Sequence, residues 1–177
     1  MKLKWKFFVV PMALLPSILL AQAPASNSIQ TQREAMHKLA FLEGKWSGPV
    51  TVVRGPGEPL HLTQTEQIEY KLDGLVLLIE GSSTTAHGET PFRALATIAY
   101  DDGSHAYRIR AYNDGHYIDT ELTTADKGFS WNFDAGPAHV VNTMHLTNKG
   151  EWNEVTDVSF GSGPAHRSVE MLLQRQP

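Results

Sequence analysis

The sequence predicts an all-β fold, a single ten-stranded antiparallel up-and-down barrel with a short helix on its N-terminal side. Three observations predict it. From Lys45 onward, runs rich in Val, Ile, Thr, Tyr and Phe alternate with glycine-bearing turns at the spacing of an antiparallel meander. Every connection between runs is short, which leaves no long crossover for a Greek key. Closing the sheet also removes two open edges that would invite aggregation.

Taken in order, the first 23 residues read as a secretory signal peptide outside the fold. Lys2, Lys4 and Lys6 precede an uncharged apolar run from Phe7 to Leu20, and Ala21, Ala23 and Ala25 each offer a cleavage point. The run is short for a membrane span and is broken by Pro11 and Pro16. An exported protein, periplasmic or secreted by a bacterium, is expected, with no membrane span once the leader is removed. The chain of 177 residues contains no cysteine. It therefore has no disulfide, no thiolate metal site and no thiol to carry a lipid, so it is not read as a lipoprotein. The leader holds three of the 15 Lys and Arg residues and no acid, leaving 12 against 19 Asp and Glu, a net charge of −7. A negative chain without a basic run argues against nucleic acid or anionic lipid as a partner.

The stretch 24–30 is small and polar and reads as a flexible lead-in to a domain over 31–177. Thr31 and Glu34 stand at capping-box spacing, and Met36, Leu39 and Ala40 follow at helical intervals until Gly44. A helix of about ten residues is expected there. Strands are expected near 45–54, 60–72, 75–86, 90–101, 105–113, 116–124, 128–134, 138–147, 151–160 and 166–175. Most of the intervening turns carry glycine for the positive φ of tight hairpins. An even strand number brings the start of the first strand beside the end of the tenth. Gly44, Trp46, Gly48 and Arg175 are therefore the expected closure of the barrel, with Trp46 buried and offering its face to Arg175.

The glycine-x-tryptophan opening, the helix beside it and the closing arginine resemble the signature of lipocalins and fatty-acid-binding proteins, the calycins. The whole order of motifs is similar to a bacterial exported family of lipocalin-like domains. These motifs are Phe41 to Gly48, Leu72 to Leu77, Tyr100-Asp101-Asp102 with Tyr107, Trp131-Asn132-Phe133, Glu151 to Glu154 and Glu170 to Arg175. The resemblance spans about residues 36 to 175 and implies a fold and no particular activity. Nitrobindin-like haem barrels share the opening and are a more distant comparison.

In a small barrel, alternate residues of each strand face inward. In the second strand Leu62, Gln64, Glu66, Ile68, Tyr70 and Leu72 form the apolar face, which carries Gln64 and Glu66 inside. The ninth strand likewise carries Glu154 in with Trp152, and the seventh contributes Phe129, Trp131 and Phe133. The fifth is ambiguous, since Tyr107, Ile109 and Ala111 oppose Arg108, Arg110 and Tyr112. An inward carboxylate must be solvated, paired or protonated. The candidate ligand-binding residues are therefore Gln64, Glu66, Tyr70, Arg110, Tyr112, Trp131, His145 and Glu154, with an arginine as partner to the acids.

The expected function is non-catalytic binding of a small apolar or amphipathic molecule in the barrel, with no cofactor and no catalytic residues assigned. Haem or nitric-oxide binding is an alternative, with His145 or His166 as the axial ligand. An enzyme using Glu66 and Glu154 as acid and base is another. A barrel filled by its own side chains is the last, and it predicts no cavity. No metal is expected: His139 and His145 lie about 20 Å apart along one strand, and no His-Glu-x-x-His pattern occurs.

Overall fold

In a computed structural model that describes residues 25–177, all ten expected runs form strands. The segment read as a signal peptide lies outside the described residues. The strands are β1 (Gly44–Val52), β2 (Leu60–Lys71), β3 (Val76–Thr84), β4 (Phe92–Asp101), β5 (Ala106–Asn113), β6 (His116–Ala125), β7 (Gly128–Ala135), β8 (Ala138–Leu146), β9 (Trp152–Phe160) and β10 (His166–Gln176). Each strand pairs antiparallel with its sequence neighbours, and β1 pairs with β10 to close the barrel. Strand ends differ from the expected ones by at most two residues, where a turn residue takes the place of a ladder residue.

The helix departs from expectation. α1 spans Ala25–His37, so it begins ahead of Thr31, which lies inside it instead of capping it. Two side-chain pairs one turn apart sustain this polar segment as helix: Gln30 Nε2 donates to Glu34 Oε1 at 2.8 Å, and Gln32 Nε2 to the Ser28 hydroxyl at 3.3 Å. A separate 3-10 turn at Ala40–Leu42 then leads into β1.

Helix and turn plug one end of the barrel. Met36, Leu39 and Leu42 are fully buried against Leu77, Ile98 and Leu173. Tyr107 and Tyr70 reach up from the barrel and donate to the Ala35 and Met36 carbonyls at 2.7 and 2.6 Å, holding the last turn of α1 in place. Burial pushes the Tyr70 phenol up to about 12, so it remains a donor. Leu72 is a correction. It was expected on the inner face, yet it is 71% exposed with φ 51°, because the chain leaves β2 at Lys71 and turns before Leu72 can continue the alternation.

The closure forms as expected. Trp46 stands opposite Arg175 in the β1–β10 register, and the guanidinium carbon lies 4.2 Å from the centre of the indole. Arg175 also donates to the Phe41 carbonyl at 2.6 Å and to that of Glu43, while Trp46 Nε1 donates to the Leu42 carbonyl at 2.8 Å. Gly48 permits this seam, since a Cβ there would lie 2.1 Å from the Leu172 carbonyl oxygen. Gly128 plays a similar part at β7. It sits buried at the start of the strand, as the expected span 128–134 has it, and Lys127 takes the positive φ of the preceding turn. Among the described residues no helix is long and apolar enough to cross a membrane.

Candidate functional site

Above the plugged end the barrel encloses a cavity of about 490 Å³. That is within the usual range for small-molecule sites, roughly 300–1,000 Å³. A barrel filled by its own side chains is thereby excluded. The walls are apolar: Val50, Leu62, Ile79, Ile109, Val140 and Val169 line the sides, with Trp131 and Phe133 stacked at 5.6 Å. The floor is aromatic. Trp152 packs edge-on against both Trp46, at 5.7 Å, and Phe129, at 6.4 Å. The far end opens between exposed residues, where Tyr112 and Tyr117 sit 5.9 Å apart beside His116, Asn113 and Arg54.

Polar groups are concentrated just above the floor. Gln64 and Glu66, only 4% and 9% exposed, project inward from β2 as the alternation dictates. The Ser83 hydroxyl donates to Gln64 Oε1, and Gln64 Nε2 donates to Glu66 Oε1 at 2.6 Å. The other oxygen, Glu66 Oε2, is buried with no hydrogen-bond partner. From β9, Glu154 Oε2 accepts from Trp152 Nε1 at 2.9 Å. Beside it the Thr156 hydroxyl donates to Asn142 Oδ1 at 2.5 Å. Glu154 is half-buried and borders the cavity.

Both acids hold their protons far above the usual glutamate range. Burial, opposed only by the Gln64 hydrogen bond, pushes Glu66 up to about 7. Burial together with the charge of Glu66 pushes Glu154 up to about 8, against the Trp152 hydrogen bond. The two carboxyls therefore form an interacting pair, protonated in part near neutral pH.

The cavity brings together Gln64, Glu66, Trp131, Glu154 and, at its rim, Tyr112. Three other sequence candidates fall elsewhere. Tyr70 faces inward but lies beneath α1, on the Met36 carbonyl. Arg110 is on the outer surface: burying Tyr107 and Ile109 turns both Arg108 and Arg110 outward, and Asp119 accepts from each. His145 is also outside, because β8 buries Asn142 and Met144 on its inner face. The expected arginine partner for the acids is therefore not in the cavity. His166 is exposed as well. A haem enclosed by the barrel would find no imidazole there, since the one histidine among the described lining residues, His116, is at the rim. These donors do not fit an enclosed haem.

Gly81, Ser83 and Asn142, which stand beside the acids, are not among the candidates the sequence offers. Gly81 carried a signal. A glycine inside a strand marks a close approach, and here a Cβ would sit 2.7 and 2.8 Å from the two Glu66 carboxyl oxygens. Gly81 is the register partner of Glu66 and leaves the space its carboxyl occupies. Among the described residues no group of three His, Asp or Glu side chains is arranged to hold a metal.

The barrel is similar to two solved structures. Rv2717c from M. tuberculosis matches with a TM-score of 0.62 at 10% identity, over 81% of this chain and 98% of that one. The S-type phycobiliprotein lyase CPES from Guillardia theta matches with a TM-score of 0.57 at 8% identity, over 87% of this chain and 99% of that one. At such identities the matches show a shared antiparallel barrel fold and nothing finer. No protein-family model matches the chain, and no curated protein matches its sequence. The expected membership of an exported lipocalin-like family is therefore not shown, and what the comparisons show is the barrel fold.

Proposed function

We propose that this protein is an exported, non-catalytic receptor for one small, largely apolar molecule held inside the barrel. The observation that carries the reading is the cavity itself. It has apolar walls, one open end with polar residues at its rim, and a buried polar cluster just above the aromatic floor where it would orient a ligand. Export rests on the lysine-led apolar leader in the sequence. The carboxyl pair supplies the specific observation for a second reading, acid–base catalysis, since its members hold protons near neutral pH.

Native mass spectrometry of the protein purified from its host separates the two. An intact small molecule at one per barrel supports the receptor, and a cleaved or altered product supports catalysis. In solution, the neutral dye Nile red is expected to bind saturably at one per barrel with a blue-shifted emission. An emission that rises without saturation would defeat the receptor reading.

A further inference from the structure

The floor of the cavity is acidic and has no cation of its own. Arg54 is the one Lys or Arg among the described lining residues, and it stands at the open end. The arginines on the barrel strands lie outside the cavity: Arg108 and Arg110 bond Asp119, Arg167 bonds Asp157, Arg175 holds Trp46 and two carbonyls, and Arg93 is exposed on β4 between the lining residues Phe92 and Ala94. The titratable groups that face the cavity besides the acids are His116, Tyr112 and Tyr117, all at the mouth. Two carboxyls thus lie together beside the cavity without a counterion among the described lining residues. Glu66, which lines the cavity and is 9% exposed, has one carboxyl oxygen, Oε2, that is buried without a donor.

Such an arrangement is costly unless something pairs with it. We propose that Glu66 and Glu154 are the seat for a cationic nitrogen, so that the barrel selects amphipathic amines, bound with the charged head on the floor and the apolar body toward the mouth. This rests on the receptor reading and names its ligand class. An ammonium presents three N–H donors and no acceptor, which suits an unpartnered carboxylate oxygen with a second carboxyl beside it. A carboxylate ligand would instead add a third negative charge to the pair. A neutral alcohol has one proton to donate and no charge to offset. Charge-assisted hydrogen bonds are the strong ones, and burial of the carboxyls favours them further. Gly81 and Gln64 serve the seat, the first by leaving room for the Glu66 carboxyl and the second by fixing it from one side. The protons held by the empty pair must leave when the cation arrives, so binding releases protons and strengthens as pH rises from 6 to 8.

The experiment competes octylamine, octanol and octanoate against Nile red on the purified protein at pH 6 and pH 8. At pH 8 octylamine is expected to bind at least tenfold more tightly than octanol, with octanoate weakest. The advantage should shrink at pH 6. Titration calorimetry in buffers of different ionisation enthalpy should register proton release with octylamine and none with octanol. In the Glu66→Gln, Glu154→Gln double variant the ratio of octylamine to octanol affinity should fall to about one. The variant keeps side-chain shape, and its fold is checked by circular dichroism. Octanol or octanoate binding as tightly as octylamine, or a preference that survives in the double variant, overturns the amine seat while leaving the receptor reading in place. Failure of all three to displace the dye overturns both.

Discussion

Glu66 and Glu154 dominate the chemistry at the scale of single residues, and their protonation ties the fold to pH. An unfolded glutamate titrates near 4.5, whereas the folded chain raises these two to about 7 and about 8. Between those limits the folded state binds more protons than the unfolded one. Stability is therefore fully present below pH 4.5, falls as pH rises through the folded values, and levels off above about 8. Glu66→Gln removes one titrating group and also the charge that helps raise Glu154. It should flatten the decline and stabilise the protein at pH 8 by on the order of 2 kcal/mol. Urea unfolding at pH 5 and pH 8 checks this. Wild-type and variant curves that shift in parallel would show that the carboxyls are solvated in the folded state. The inward placement of Glu66 was legible from strand alternation alone, because Leu62 and Ile68 share its parity. The fate of Arg110 was not. Its strand offers apolar residues on both faces, and only the position of Asp119 on the neighbouring strand decides which face the arginines take.

Among the elements, β6 and β7 are the weak seam. Their ladder runs only from Leu122–Trp131 to Ala125–Gly128, four pairs, while β5–β6 and β7–β8 are paired along their length. Toward the open end, residues 116–121 and 132–135 have no ladder partner across this seam. Ile118 and Phe133 line the cavity on its two sides. A seam held by few hydrogen bonds opens at lower free energy than the rest of a sheet. Amide exchange should therefore be fastest, among strand residues, in the non-laddered amides of 117–121 and 132–134, and occupation of the cavity should slow it. Protection there equal to that of the β1–β10 closure would contradict the seam. The extent of each strand could be read from the turns, but this gap could not, because pairing register depends on how the whole barrel twists to close. The start of α1 was hidden for a related reason. Ile29 and Gln30 are exposed, and side-chain pairs one turn apart sustain a segment whose composition reads as loop.

Across the whole molecule, the barrel balances packing against an interior left open. Its closed end is a dense layer in which Trp46, Trp152, Met36 and Leu42 are at most 2% exposed. Beyond that layer the barrel leaves about 490 Å³ unfilled. Small residues account for part of that space. Ala96 and Ala111 face each other across the β4–β5 ladder, and both border the cavity beside Ile79. Larger side chains there would bury more apolar surface, so a chain under selection for stability alone would not keep two alanines facing a void. Ala96→Phe tests this directly. In a well-packed core such an enlargement costs about 1–3 kcal/mol, but here the ring has a cavity to enter and should instead stabilise the protein by about 1 kcal/mol. It should also weaken Nile red binding at least tenfold, because the ring and the dye compete for one volume. A variant that is destabilised and still binds the dye at full strength would show that the space beside Ala96 is not where a ligand sits.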